Sequence, residues 1–240
     1  MALNDAVGAW EFNESSGNAA DSSGNGRTLT NNGTAGFVAG LIGNAADLGS
    51  GNTTKWFSRT DASGIGTGSY AMVAWFNPYS LPVAANFQVF TVGNTANFVS
   101  SNMYMHNPAA TDQVIFERVK DGVAANSVTI TTTLSTSAWH MFSCSYDGAT
   151  LTPYIDGVAQ TTVASSGSGS SGTTLGTSVG SLNPTGSQLA STKNDLTFLY
   201  NHTLSAADMT TLWNGGAGFD PYAVVQSTSD ARKLILLGAG

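Results

Sequence analysis

Apolar and polar residues alternate along this chain in short runs of four to eight, broken every ten residues or so by Gly, Asp, Asn or Ser. That is the pattern of a sandwich or barrel of strands. The first run, Ala9–Asn13, places Trp10 and Phe12 on one face. In the next, Thr53–Arg59, Lys55, Phe57 and Arg59 alternate with Thr54, Trp56 and Ser58. Tyr70–Asn77 (YAMVAWFN) is apolar at both parities, which predicts a central strand covered on both sides. Further strands are expected at Phe87–Gly93, Phe98–Met105, Gln113–Lys120 and His140–Tyr146.

Turn chemistry sets the pairing. Asp121-Gly122 divides VIFERVK from VAANSVTI, and Asp156-Gly157 divides LTPYI from VAQTTV. Asp-Gly accepts the positive φ angles of a type I′ turn, so each predicts a hairpin. Asp147-Gly148 makes a third turn. Pro153 has no N–H to give a ladder and is expected at an edge or a bulge. Ser165–Thr174 (SSGSGSSGTT) reads as a surface loop between strands.

One helix stands out. Ser205 is placed to cap it with Asp208 three positions on, and Leu204 and Met209 occupy the positions of a hydrophobic staple. Leu212 and Trp213 continue the apolar side, and Gly215-Gly216 offers a left-handed stop. So short a helix is expected to cover an open end of the sandwich.

The composition narrows the partners. At 240 residues and 41% hydrophobic, the chain can bury a core as one unit. Charged residues are 10%, against about 25% in ordinary soluble domains. Hydroxyl and amide groups replace them, as on many extracellular and virion surfaces. Net charge is −7 and the cations are scattered, which argues against nucleic acid and against anionic membrane surfaces. No stretch approaches the roughly 20 apolar residues of a spanning helix. Cys144, the single cysteine, lies in an apolar strand pattern and reads as a small buried hydrophobe. The first residues, MALND, carry neither the basic nor the apolar region of an export signal, so synthesis in a cytoplasm is expected. A virion protein fits that start, as would a trimmed secreted domain.

Three stretches in order resemble the LamG-like jelly-roll domains of the concanavalin A-like lectin/glucanase superfamily. They are WEFNESSGNAADSSGNG with the later GLIGNA, then WHMFSCSYDGATLTPYIDGV, then DLTFLYNHTLSAADMTTLWNGG. The resemblance spans about residues 8–216 and implies an all-β, antiparallel two-sheet jelly roll with one short C-terminal helix. Residues 1–216 are then the sandwich and 217–240 a tail. The tail ends in ARKLILLGAG, whose four consecutive large apolar residues are expected to pack, either on the domain itself or on a neighbouring subunit or capsid lattice.

Glycoside hydrolases of this superfamily carry paired acids on one strand, about 5–5.5 Å apart when retaining. Glu11, Glu14 and Glu117 are the only glutamates and none belongs to such a run, so no enzyme is expected. His140 follows Trp139 at a position that recurs in non-enzymatic members; a structural role is expected of it. His106 and His202 have no acid or nucleophile placed beside them by the sequence, and no G-x-S-x-G elbow exists. The resemblance also implies a structural Ca²⁺ held by Glu11 and Asp195, although Leu196 stands where many members carry a second acid; local capping by Asp195 is the alternative. For sugar, Tyr104 with Asn102 and Asn107 forms a candidate surface. The function expected is therefore non-catalytic, with a capsid or other virion protein or a cell-surface glycan as partner. A carbohydrate-binding module of a secreted bacterial protein is the alternative.

Overall fold

The computed structural model describes residues 2–65, 68–93, 101–108, 111–118, 126–165 and 175–223. Among these, strands numbered along the chain form two antiparallel sheets. The larger contains β1 (Gly8–Trp10), β3 (Gly36–Ala39), β4 (Asn44–Asp47), β6 (Tyr70–Pro78), β11 (His140–Tyr146), β12 (Thr150–Ile155), β13 (Val158–Ala159), β14 (Val163–Ala164) and β16 (Thr192–Tyr200). The smaller runs β10-β9-β8-β7-β15-β5-β2. Its strands are β2 (Thr30–Asn32), β5 (Trp56–Arg59), β7 (Ala85–Gly93), β8 (Ser101–Asn107), β9 (Gln113–Arg118), β10 (Asn126–Thr131) and β15 (Gly176–Val179).

The main core lies between the sheets. Met72, Ala74, Phe76, Phe142 and Tyr146 from one meet Phe57, Phe90, Met103, Met105 and Phe116 from the other. Cys144 is buried here, and burial pushes its thiol up to about 12, so it behaves as the small hydrophobe the pattern predicts.

β6 is covered on both sides, as its uninterrupted apolar run predicts. Its other parity, Ala71, Val73 and Trp75, joins Phe198, Tyr200, Met209 and Leu212 in a second cluster on the outside of the larger sheet. Helix α1 (Ala206–Trp213) supplies that cover. It therefore lies across a sheet face, where the sequence reading expects an open end of the sandwich. The reason is the two-sided strand: an end cap would leave Val73 and Trp75 in water. Trp213 stacks on Trp75 with ring centroids 4.9 Å apart and planes 7° from parallel. The capping box forms as expected, with Ser205 and Asp208 bonding each other's backbone amides. Left-handed backbone begins one residue before the glycine pair, at Asn214 (φ 48°).

Asp156 and Gly157 both adopt positive φ, at 52° and 74°, in the β12–β13 turn. Pro153 accepts from the Gln160 amide, so its missing N–H faces the edge between β13 and β14. β1 stops at Trp10, because Phe12 takes φ 54° and leaves the ladder while both rings stay buried. The 121–122 turn and the loop after Ser165 lie outside the described residues, though β9 and β10 pair as its hairpin requires. Beyond Gly216 the chain keeps packing: Tyr222 sits 6.0 Å from the Phe198 ring, and its hydroxyl accepts from the Ala6 amide at 2.8 Å. Residues 224–240, with the apolar tail, lie outside the described set.

Candidate functional site

Alternation along the smaller sheet sorts its residues into core-facing and outward-facing. Met103 and Met105 face the core, so Asn102, Tyr104 and His106 face outward on β8. Asn107 shares the parity of the methionines and donates to Asp112 at 3.0 Å. The candidate trio is thus divided: Tyr104 and Asn102 share a face, and Asn107 belongs to the other.

The strand register extends this face sideways. Ser178 of β15 lies opposite Thr91 of β7, Thr91 opposite Asn102 of β8, Asn102 opposite Glu117 of β9, and Glu117 opposite Ser127 of β10. Five adjacent strands thus present one polar row across their length. At about 4.8 Å per strand the row is about 19 Å long. Three of its members are enclosed: Thr91, Asn102 and Ser178 are each 1% exposed, while Glu117 is half-buried and Ser127 is exposed. Thr91 Oγ1, Asn102 Oδ1 and Ser178 Oγ have no hydrogen-bond partner in the protein. Buried polar atoms ordinarily have one, so three in neighbouring positions call for a specific cause.

Beside the row, Tyr104 is half-buried, 6.4 Å from the His106 ring, and the Asn86 side chain contacts His106 Nδ1. Gln188 Oε1 accepts from Gln88 at 2.7 Å and from Asn86 at 3.1 Å, which fixes the amides along one side. Burial raises the Glu117 carboxyl above its ordinary range, partly offset by Asn102. Burial, with the Glu117 charge, pushes the Tyr104 hydroxyl up to about 12. At the β5 end the row is covered, since Pro184 O accepts from Ser58 at 3.1 Å and from the Trp56 indole at 3.1 Å. The strand expected at Phe98–Met105 contains Tyr104, and its described part belongs to β8. The row itself needs register across five strands, which no single run of residues specifies.

Glu117 is the one carboxylate among the described outward residues of these five strands, so the two-acid arrangement of glycoside hydrolysis is not assembled there. A different trio does meet elsewhere. His140 Nδ1 lies 2.9 Å from Asp156 Oδ2, and its Nε2 lies 3.0 Å from Ser135 Oγ. Nε2 is also 3.1 Å from the Ser135 carbonyl, an acceptor that holds a proton on that nitrogen. A base must have that lone pair free to activate a serine. Asp156 also accepts from the Met141 amide at 2.8 Å, so the trio locks the β11–β12 hairpin to the preceding loop. Desolvation lowers the imidazole pKa, but the bonds to Asp156 and Ser135 outweigh it and the net shift is upward.

Asp195 sits where β16 exchanges one neighbour for another. Residues 193–194 pair with β4 and residues 197–199 with β1, across a bulge at Leu196 (φ 30°). Its carboxylate spans the gap, accepting from the amides of Leu41 (2.8 Å), Ile42 (3.2 Å) and Leu196 (2.8 Å). Gly40 must lack a side chain there, because a Cβ would lie 2.6 Å from Asp195 Oδ2. Gly43 is likewise held against Asn13, whose Oδ1 accepts from the Asn44 amide at 2.9 Å. The first and third motifs read from the sequence meet at this point.

As a calcium ligand set these residues fit by charge and fall short by count. Asp220 repels both Glu11 and Asp195, and Glu11 Oε1 and Glu14 Oε2 are enclosed without partners. Ca²⁺ takes six to eight oxygens. Among the described residues no three His, Cys, Asp or Glu side chains gather around one point, and Asp195 faces three N–H donors.

Comparison with known proteins agrees with this architecture. No curated protein sequence matches. Domain 4 of AbnA, a GH43 extracellular arabinanase from Geobacillus stearothermophilus solved with arabinotriose, superposes with a TM-score of 0.67 at 17% identity, covering 86% of this chain and 97% of that domain. The binding domain of botulinum neurotoxin serotype D/C has a TM-score of 0.67 at 13% identity over 89% of this chain. A type C neurotoxin structure, whose cell entry is described as dependent on two ganglioside molecules, has a TM-score of 0.68 at 10% identity. The chain spans about half the length of the neurotoxin chains, 53% in each case. The Laminin_G_3 family model matches residues 50–210, more than half of the sequence, and the chain belongs to that family of the concanavalin A-like lectin/glucanases superfamily.

Proposed function

We propose that this protein is a non-catalytic glycan-binding and adhesion module that works as a virion surface component, such as a capsid decoration or fibre protein. The observation that carries the glycan reading is half-buried Tyr104 on the outer face of β8, with the accessible polar groups of His106, Glu117 and Ser127 on the same face. Sugars are held by such polar groups with an aromatic face alongside. The arabinanase domain solved with arabinotriose supports the same reading. The virion setting rests on the scarcity of charge and on the apolar tail, through which the module docks on a capsid protein or on its own copies. A carbohydrate-binding module of a secreted bacterial protein uses the same surface, and mass spectrometry of purified particles separates the two settings.

Incubation with a broad polysaccharide panel is expected to show binding without release of reducing ends. Turnover that disappears on replacing one Asp or Glu overturns the non-catalytic reading.

The proposal includes a structural calcium ion held by Glu11 and Asp195, supported by the unpartnered Glu11 oxygen and by the repulsion among Glu11, Asp220 and Asp195. An ion bound only by the folded state raises its stability by mass action. Millimolar calcium is expected to raise Tm above the value in chelator, and to do so less in Asp195→Asn. Identical melting curves in calcium and chelator remove the ion.

A further inference from the structure

We infer that His140 is a proton-operated latch: as the imidazolium it ties the Asp156–Gly157 turn to Ser135, and loss of its proton to solvent loosens that turn and the Trp213 end of α1. The latch does not depend on what the module binds.

Each ring nitrogen faces an oxygen that can only accept. Nδ1 lies 2.9 Å from the Asp156 carboxylate, and Nε2 lies 3.1 Å from the Ser135 carbonyl. Ser135 Oγ, 3.0 Å from Nε2, can accept as well. A neutral imidazole has one N–H and one lone pair, so either tautomer turns a lone pair on an acceptor. With the proton on Nε2, the lone pair of Nδ1 meets the carboxylate. With the proton on Nδ1, the lone pair of Nε2 meets the carbonyl. The doubly protonated ring satisfies both.

The surroundings hold the ring in that state. His140 is 8% exposed, so water is poorly placed to replace a lost bond. β6 presents the Phe76 ring, 6.1 Å away, and the loop before β11 presents Ser135. Among the described residues, Asp156 is the charged group that acts on the imidazole. Burial opposes the positive charge, but the Asp156 carboxylate and the Ser135 carbonyl outweigh it and raise the pKa above the ordinary 6.5.

The effect reaches α1 through the turn. Asp156, left-handed at φ 52°, is tied to Met141 twice. Its Oδ1 accepts from the Met141 amide at 2.8 Å, and its own amide donates to the Met141 carbonyl at 2.9 Å. Gly157 packs so closely on the helix that a Cβ there would lie 2.8 Å from Trp213 Cβ. Trp213 in turn stacks on Trp75, so a shift of the turn is felt at the tryptophan pair. Because the folded state holds the proton more tightly than the unfolded chain, stability from the latch is full below pH 6.5. It is lost as pH rises through the higher folded value.

The test follows the imidazole C2 protons of the full chain by NMR, folded and in urea, from about pH 5 to 9, which brackets the ordinary histidine range. The His140 signal is the one that persists in both His106→Gln and His202→Gln. It is expected to titrate at higher pH in the folded chain than in urea, and Asp156→Asn is expected to move it down. Near-ultraviolet dichroism of the tryptophan pair should fall along the same curve in the parent and not in His140→Gln. Urea midpoints should fall with pH more steeply in the parent than in His140→Gln, a difference from which the other titrating groups cancel. A His140 that titrates in the folded chain at or below its pH in urea overturns the imidazolium and the latch with it. A raised titration that leaves the tryptophan signal of the parent unchanged overturns the coupling to α1. Both of these outcomes are read without altering His140, so they decide the matter even where His140→Gln fails to fold.

Discussion

Replacing Trp75 by alanine is expected to lower the stability of the domain by about 3–5 kcal/mol, the usual cost of removing a large buried aromatic. Trp75 is fully buried on the outward side of β6, and its ring is the platform on which Trp213 stacks. Its removal takes away that stacking and opens a void between the sheet and α1. The effect should be polarised. The inter-sheet core of Phe76, Phe90, Phe116 and Phe142 is on the other side of the strand and keeps its contacts. In water the variant should therefore lack the near-ultraviolet signal of the stacked pair while keeping its far-ultraviolet β signal. Trp75→Phe is expected to cost a smaller part, since the indole N–H of Trp75 has no partner to lose. A Trp75→Ala protein as stable as the parent would mean that α1 rests on the sheet without supporting it.

The second large effect is at Asp195. Asp195→Asn should cost about 2–3 kcal/mol, because one carboxylate oxygen becomes an amide N–H facing backbone N–H groups. The loss should appear in chelator as well as in calcium, since the three amide bonds need no metal. The residue also makes a pH signature. Burial pushes its carboxyl up from an ordinary 3.8 to about 7, against the opposing pull of its three amide donors. The folded state then holds the proton more tightly than the unfolded chain does. Stability from this group is full below about pH 4 and is lost as pH rises to about 7. Urea midpoints measured from pH 4 to 8 should fall across that window in the parent and fall less in Asp195→Asn. A parent midpoint that rises through the same window rules this assignment out.

How much of this could be read beforehand depended on the range of the interactions. The Ser205–Asp208 capping box spans three residues and was legible as written. The two-sided burial of Tyr70–Asn77 was equally legible, because an apolar residue at both parities has one meaning. What covered the second side was not, since the helix over Trp75 begins well over a hundred residues later. Asp195 shows the same limit: the spacing of Gly40 and Gly43 marks a motif, but its cause is a carboxylate brought from β16 and an asparagine from the first motif. At the candidate site, Tyr104 and Asn102 were legible as chemistry. Their separation from Asn107 was not, because the expected strand stops at Met105, and only the pairing with β7 shows that it runs on to Asn107 and turns that side chain to the other face.

The packing of Tyr222 has a bearing on presentation. Leu3, Ala6 and Tyr222 all belong to the apolar layer outside the larger sheet, and the Tyr222 hydroxyl joins Ala6 directly. The described chain therefore starts and finishes on one side of the sandwich, while the Tyr104 face is the outside of the other sheet. A force applied through Leu3 or Tyr222 would therefore bear on the layer behind the larger sheet, and the Tyr104 face would feel it only through the core between the sheets.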